Sequence, residues 1–435
     1  MSGDGNPNQN KRVYATGRRS LPGTAERVLA FACMAFAHRE EEVQVELGWK
    51  RNVLGVVRIG IACLAGAALA QGQATPPQAA DKAATEAKPP MSDQFFKNVQ
   101  VLKGIPVDQF LGTMGFIAAS LSVNCTECHV TRDYSIDTPK KQKARQMMIM
   151  VRTINQANFG GGHRVTCWTC HRSDTEPPET PSLMVQNGTV PDKDPNDVEV
   201  LDQPIPGAPT AEQILDKYIQ ALGGEERLAR ITSISAKGTY AGFDTDLGKV
   251  PVEVFAKSPG ESTTIVHRSE KAQNITTYDG RNGWIVMTNT ALPVKPLSGG
   301  ELDNAQLDAE MFFPAGIKKY LHDWRTGFAP ITVDDQLTQV VQATAPGGTR
   351  VKLFFDSKSG LLLRVTRFAN TVLGLNPSEV DYSDYRDLGG VKVPFHWTLT
   401  WTDGRSEFDM TDVQTNVAID AAKFGEAVLP KTATP

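Results

Sequence analysis

The sequence has no excess of positive charge and no long apolar run. Its 435 residues hold 45 Lys and Arg against 49 Asp and Glu, a formal net charge of −4, so no basic stripe for nucleic acid is indicated. The most apolar stretch near the N-terminus follows Arg58, which leaves too few residues to span a bilayer. The remaining composition, 40% hydrophobic and 22% charged, is that of an ordinary globular protein.

Cysteine is scarce, and its placement is ordered. Of the six cysteines, Cys33 and Cys63 lie in the N-terminal region, and the other four form two pairs. In each pair two residues separate the cysteines and a histidine follows the second, so no cysteine in the body of the chain is left for a structural disulfide. The two pentads are Cys125-Thr126-Glu127-Cys128-His129 and Cys167-Trp168-Thr169-Cys170-His171.

A CxxCH pentad is the attachment motif of c-type haem. The two thiols form thioether bonds to the haem vinyl groups, and the adjacent histidine binds the iron from the same side. A zinc ribbon or a redox dithiol explains a bare CxxC, but neither needs a histidine directly after the second cysteine. The sequence therefore predicts two covalently attached haem c groups. The attachment residues are Cys125, Cys128, Cys167 and Cys170, and the iron ligands are His129 and His171.

The second axial ligand of each iron is less directly specified. Methionine opposite histidine gives a saturated electron-transfer iron, whereas an open position favours ligand binding or catalysis. For the first haem we predict Met114, which lies on a helical stretch before the motif. For the second we predict Met150. Its neighbours Met147 and Met148, and His163 just before the motif, remain alternatives, because clustered methionines also serve as packing residues.

The stretch 111–171 resembles a known family. Its motif order joins a methionine helix, Ser122-Val123-Asn124 before the first pentad, Thr138-Pro139, Met150-Val151-Arg152 and the second pentad. In this it is similar to the cytochrome c subunit of photosynthetic reaction centres. The resemblance implies one haem on the first pentad with Met114, another on the second pentad, and periplasmic electron transfer. Family members typically carry four haems, and the ligand matching Met150 comes from their other half, so the resemblance does not assign that residue.

The N-terminal ninety residues predict export. Residues 1–48 do not resemble the start of a signal and are interpreted as a doubtful extension. Residues 49–70 form a signal peptide with a basic start, an apolar stretch and an Ala-Leu-Ala cleavage site. Residues 71–90 are rich in Ala, Gln, Lys and Pro and predict a flexible tether. We therefore expect a periplasmic protein, or one on the outer face of the inner membrane.

The rest of the chain predicts two domains of different secondary structure. Residues 91–173 are helical, with a first face through Phe96, Val99 and Leu102 and further helices at 107–120 and 138–158, and would hold both haems. Residues 174–209 carry eight prolines and predict a linker. Residues 210–425 begin with a helix at 210–222 and continue as strands, so the fold class is multidomain α + β, a helical dihaem domain followed by an antiparallel β-rich domain.

The pattern of the β-rich domain is similar to lipoprotein-carrier-like half-barrels. That resemblance implies a sheet around a helix and an apolar hollow that binds an apolar ligand, and a filled core is the alternative. The segment 381–385 is interpreted as turn-rich, with Asp381 and Asp384 solvated, and His267, His322 and His396 are interpreted as isolated. The predicted strands are 234–240, 252–257, 263–267, 284–287, 339–344, 350–355, 361–368, 393–401 and 407–413, with a helical interruption at 301–322.

The leading hypothesis is an envelope electron carrier whose partners are redox proteins, either a membrane electron-transfer complex or a reaction-centre-like acceptor. It requires no substrate chemistry of its own. Two other functions remain open. One is a dihaem peroxidase-like oxidoreductase with one open haem, and the other is an apolar-ligand-binding envelope protein that acts through the β-rich domain.

Overall fold

A computed structural model describes residues 89–180, 206–270, 272–288, 292–328 and 330–426. Residues Asp81–Pro435 form one compact unit, so the helical segment and the sheet belong to the same body. The predictions for 1–48, 49–70 and almost all of 71–90 lie outside the described residues, as does most of the proline-rich segment. Within the described ranges, no helix is both long and apolar enough to cross a membrane.

The helical segment contains two substantial helices, as predicted. Helix α1 is a single turn, Ser92–Phe95. Helix α2, Val107–Leu121, begins after a proline and ends at Ser122, which adopts the left-handed conformation. Helix α3, Pro139–Asn158, begins with proline at its first position, where the missing N–H costs nothing. Helix α4, Cys167–His171, is the second pentad itself.

The predicted helical face through Phe96, Val99 and Leu102 is wrong. Helix α1 ends at Phe95, Phe96 is extended, and Asn98 has a φ of 59°. Val99 and Leu102 lie in an irregular segment, and they nevertheless pack in one apolar cluster with Phe116 of α2. Leu102 is only 4% exposed. Apolar spacing alone did not distinguish a helix from a loop folded over a core.

The C-terminal region is a large antiparallel sheet with helices. Helix α5 is Ala211–Leu222, capped by Thr210, which accepts from the backbone of Gln213. The remaining helices are α6 (Glu225–Leu228), α7 (Gly299–Met311) and α8 (Ile317–Tyr320). The strands are β1 (Ser233–Gly242), β2 (Val250–Lys257), β3 (Glu261–Ser269), β4 (Ala272–Asp279), β5 (Gly283–Met287), β6 (Val294–Pro296), β7 (His322–Arg325), β8 (Ile331–Val333), β9 (Gln336–Thr344), β10 (Arg350–Asp356), β11 (Leu362–Thr371), β12 (Gly374–Leu388), β13 (Val391–Trp401) and β14 (Gly404–Thr415).

The strand order is β6-β5-β4-β3-β2-β1-β14-β13-β12-β11-β10-β9-β7, and β8 also pairs with β9. Every pairing is antiparallel, and most neighbours are consecutive hairpins. The crossover that pairs β1 with β14 joins the first and last strands near the middle of the sheet. This architecture confirms the predicted α + β class with an antiparallel β-rich region.

The turn-rich interpretation of 381–385 is wrong. These residues lie inside β12, where Asp381 is paired in register with Arg364 and accepts from its guanidinium at 3.1 Å. Asp384 is exposed and has a φ of 50°, a local irregularity within the strand. Glu379 and Asp381 lie on one side of β12 and both pair with Arg364, so these acidic residues belong to the face of a strand and not to a turn.

One face of the sheet buries its apolar side chains against helices. Leu215 and Tyr218 from α5 and Leu307 from α7 pack on Leu353 and Phe355 of β10. The Tyr218 and Phe355 rings lie 5.1 Å apart. Full burial of side chains of this size stabilises the fold by roughly 1.5–3 kcal/mol each. This cluster is the main core of the β-rich region.

Candidate haem sites

The first pentad folds as a short turn that brings its reactive groups together. Residues Cys125–Glu127 form a single 3-10 turn, and Asn124 caps it by accepting from the backbone N–H of Thr126 at 3.0 Å. The N–H of His129 then donates to the carbonyl of Cys125 at 3.0 Å. Both thiols are free, and the imidazole follows on the same turn, which is the arrangement that thioether attachment and iron ligation require.

The imidazole of His129 is held by its Nδ1 atom, which lies 3.2 Å from the carbonyl oxygen of Tyr134. The two rings are stacked with centroids 5.0 Å apart. A backbone carbonyl on Nδ1 fixes the tautomer and leaves Nε2 as the metal-binding nitrogen. Burial, reinforced by the cations Lys141 and Arg145, lowers the pKa of His129 and favours the neutral imidazole that binds a metal.

The second pentad is built in the same way from a different local fold. Thr166 caps α4, and it exchanges reciprocal hydrogen bonds with Thr169 in a capping box. The Nδ1 atom of His171 lies 3.0 Å from the carbonyl oxygen of Asp174. Burial raises the pKa of the Cys167 thiol. Each pentad therefore presents two thiols and an imidazole whose Nδ1 atom is already bonded to the backbone.

The methionines on the predicted ligand list differ in environment. Met114 on α2 packs beside an apolar cluster formed by Leu102, Phe116, Met148 and Leu373. Met148 is 7% exposed, whereas Met150 is 42% exposed. Met147 is half-buried and His163 is exposed. The roles of Met114 and Met150 as axial ligands stay predictions.

Apolar side chains are exposed around both pentads. Within the described part of the chain, most large apolar side chains with high exposure lie between residues 111 and 168, although the β-rich region is much larger. They are Leu111, Val130, Tyr134, Ile136, Ile149, Met150, Phe159 and Trp168. An apolar porphyrin attached at the pentads would cover such surface. The donor set fits haem c.

The cysteines and histidines do not converge on one point. In the described ranges, no three His, Cys, Asp or Glu side chains are grouped so that they could hold a metal ion together. The two pentads are separate sites, each of which offers one imidazole. Two histidines of the sheet are bonded to carboxylates instead, His267 to Glu253 at 3.2 Å and His396 to Asp409 at 2.6 Å.

Sequence reasoning missed the contacts between the haem region and the sheet. Leu373, in the hairpin between β11 and β12, is part of the apolar cluster beside Met114 and Cys167. Asp108 in the first turn of α2 accepts from the backbone and hydroxyl of Ser298 at 2.6 and 2.9 Å. These pairs are 190 residues or more apart in sequence, so neither periodicity nor motif spacing could have found them.

The β-rich region encloses a cavity of about 220 Å³ between the sheet and its helices. Its lining is mainly apolar and aromatic, with Asp308 and Lys392 as the charged groups. Burial raises the pKa of Tyr278 to about 12, and Asp279, Glu310 and Asp303 add to this shift. The other aromatic lining residues include Tyr218, Phe312, Tyr382, Tyr385, Trp397 and Phe408.

In both CxxCH turns the Nδ1 atom of the histidine is bonded to a backbone carbonyl. These are the features of a c-type cytochrome segment. Residues 57–196 match the family model described as photosynthetic reaction centre cytochrome C subunit. The photosynthetic reaction center cytochrome c subunit of Thermochromatium tepidum is 34% identical over 103 residues, which are 22% of this chain and 24% of that protein. The chain thus spans about a quarter of the relative's length. The match confirms the resemblance drawn from the pentads and their flanking residues.

Solved structures similar to the chain cover about half of it. A LolA superfamily protein from Nitrosomonas europaea matches 50% of this chain and 98% of its own, at 16% identity and a TM-score of 0.35. A DUF1329 family protein from Desulfovibrio piger matches 50% of this chain and 97% of its own, at 12% identity and a TM-score of 0.36.

Proposed function

We propose that this protein is an envelope electron carrier with two covalently attached haem c groups. The observation that supports it best is the duplicated site, in which each pentad carries two free thiols and a histidine whose Nδ1 is bonded to a backbone carbonyl. When bound, each haem iron supplies a one-electron Fe(III)/Fe(II) couple. The protein's own part is to fix the imidazoles, exclude water and hold the two sites at a constant separation.

The surrounding residues suit this role. At the first site, the hydroxyl of Thr138 donates to the carbonyl of Cys128 at 2.7 Å, which ties the pentad to the start of α3. Asn155 of α3 accepts from the backbone of Val165 at 2.9 Å and donates to its carbonyl at 2.7 Å, which ties the same helix to the segment before the second pentad. A single rigid helix therefore holds both pentads, as transfer between two centres at fixed geometry requires.

Haem stoichiometry tests the proposal directly. The full chain is produced in a host that matures c-type cytochromes, and haem is quantified per polypeptide together with intact mass under denaturing conditions. We expect two haems that stay attached when the protein unfolds. One covalent haem would require revision of the second site, and none would overturn the proposal.

Location and partners follow as part of the same proposal. The signal peptide predicted at 49–70 would deliver the chain to the periplasm or to the outer face of the inner membrane. The partners would be redox proteins, with a membrane complex or a reaction-centre-like acceptor as the candidates. N-terminal sequencing of the exported protein tests the signal, and we expect mature chains that begin at Gln71.

The cavity in the β-rich region supports a second candidate function, binding of an apolar ligand. Its volume of about 220 Å³ and its largely apolar lining suit a slender apolar molecule. Native mass spectrometry before and after organic extraction tests this candidate. A copurifying apolar species that is displaced by Ala236→Phe, which fills the cavity, supports it. A ligand-free wild-type protein that takes up no added fatty acid or phospholipid contradicts it.

The peroxidase-like alternative differs from the electron carrier in one property, an open iron. Met114 packs against an apolar cluster that also includes Cys167 of the second pentad, and a thioether in such a place can serve as an iron ligand and also exclude water. The carrier requires both irons to be saturated, whereas the oxidoreductase requires one that binds cyanide or peroxide. Their spectra therefore distinguish them.

A further inference from the structure

The β-rich region reaches into the core of the haem region at one hairpin. The tip, residues 371–374, joins β11 to β12. Leu373 at this tip is 4% exposed and packs in the cluster that contains Phe116 and Met148, with Cys167 and Met114 beside it. A leucine at a hairpin tip is ordinarily solvent-exposed, so its burial here means that the haem region is completed by a residue of the sheet.

The approach of the hairpin is close enough to exclude a side chain. A Cβ atom at Gly374 would lie 2.8 Å from the Phe116 ring and 3.1 Å from the Thr166 methyl group. Thr166 is the cap of α4 and immediately precedes Cys167. The backbone of the hairpin thus touches both the helix that carries Met114 and the turn that carries the second pentad.

The tip is rigid in itself. The hydroxyl of Thr371 accepts from the backbone N–H groups of Leu373 and Gly374 at 3.3 and 3.2 Å, and it donates to the carbonyl of Gly374 at 2.9 Å. Thr371 is 8% exposed. A short turn fixed by its own side chain can hold an apolar group at a constant position against a cofactor.

From these contacts we propose that the β11–β12 hairpin is a wall of the second haem site, with Leu373 as a positioning residue that keeps water from the haem on Cys167 and Cys170. This inference rests on the proposed function. The hairpin touches Thr166, which directly precedes the second pentad, whereas the first pentad is bonded to the loop at Tyr134 and to Thr138. The sheet would therefore raise the reduction potential of the second haem more than that of the first, because burial disfavours the more positive oxidised iron.

The test is a potentiometric titration of the haem-loaded full chain, with Leu373→Ala compared with wild type. A Cys125→Ser/Cys128→Ser variant, which retains only the second haem, assigns its wave. We expect the reduced-to-oxidised ratio of the second haem to fall about threefold at its wild-type midpoint, with a smaller change at the first haem. Leu373→Asp places a carboxylate there and should lower the ratio further. Leu373→Met keeps the volume and should restore it.

Leu247 supplies a matched control, since it is also a leucine in a connection between strands but is 63% exposed. Leu247→Ala should leave both waves in place. Unchanged potentials in Leu373→Ala, or equal shifts of both haems, overturn the inference. If Leu373→Ala loses its folded circular dichroism spectrum, Leu373→Val and Leu373→Met carry the same comparison. A wild-type chain without two haems would instead overturn the proposed function, so the two failures are distinct.

Discussion

The two pentads present the same chemistry in different surroundings. In both, Nδ1 of the histidine is bonded to a backbone carbonyl three to five residues onward. The first pentad is a 3-10 turn beside charged groups, with Glu127 paired to Lys140. The second is an α-helical turn that contacts α2. Its Cys167 packs against an apolar cluster that includes Leu373 of the β11–β12 hairpin. Local sequence therefore builds the attachment site, while distant residues set its environment.

This difference predicts that the two haems can be removed independently. Cys167→Ser/Cys170→Ser should reduce the haem content from two per chain to one, and Cys125→Ser/Cys128→Ser should do the same, since each pair of thioether bonds serves its own haem. Haem quantification with intact mass measures this. The variant that lacks the second haem should lose more stability, because that site shares a core with the sheet. Equal losses in the two variants would remove the distinction drawn between the sites.

A buried carboxylate joins α2 to the sheet region. Asp108 is 2% exposed and lies at the N-terminus of α7, where Ser298 and the helix dipole favour an anion. Asp108→Ala should lower the free energy of unfolding by about 1–3 kcal/mol, because Ser298 loses its acceptor. Chemical denaturation of the full chain measures the loss. Asp93→Ala, which removes an exposed carboxylate from the same region, is the control and should cost less.

The same carboxylate predicts a pH dependence. Burial outweighs the hydrogen bonds from Ser298 and raises the pKa of Asp108 above its ordinary value near 3.8, and burial also raises the pKa of Glu301 in the first turn of α7. Because the folded state binds these protons more tightly than the unfolded state, their contribution to stability is full below about pH 4 and is lost as pH rises through the raised values. Denaturation between pH 4 and 8 should show this decline.

Replacing the titrating group checks the assignment of that decline. Asp108→Asn cannot ionise, so its stability should vary less with pH over the same window. A slope equal to that of wild type would place the effect on other groups.

The smallest effects are expected from substitutions in the two loops whose backbone carbonyls are bonded to His129 and His171. Asp133 accepts from the backbone of Ser135 at 2.9 Å and so shapes the loop that presents the carbonyl of Tyr134 to His129. Asp133→Ala should cost under about 1 kcal/mol and alter only the first haem. Asp174→Ala is the matched change at the second site. EPR spectra of the oxidised protein, which respond to the orientation of each axial imidazole, distinguish the two variants, and a change at both haems from one variant would contradict their independence.

The sequence predicted those parts of the site that are local in the chain. The CxxCH motifs, the helix after Thr138 and the helix after Thr210 follow from residues within a few positions of one another. Strand β4 was missed because its polar face resembles a loop. The wall provided by Leu373 was missed for a different reason, since it depends on how a hairpin more than two hundred residues further along the chain packs on α2.

An electron carrier of this kind needs both irons held as electron-transfer centres. Optical and EPR spectra of the haem-loaded full chain, recorded with and without cyanide, test this directly. We predict two low-spin haems, at least one with methionine ligation, and no change on adding cyanide. A high-spin iron that binds cyanide would contradict the electron-carrier account and favour the oxidoreductase.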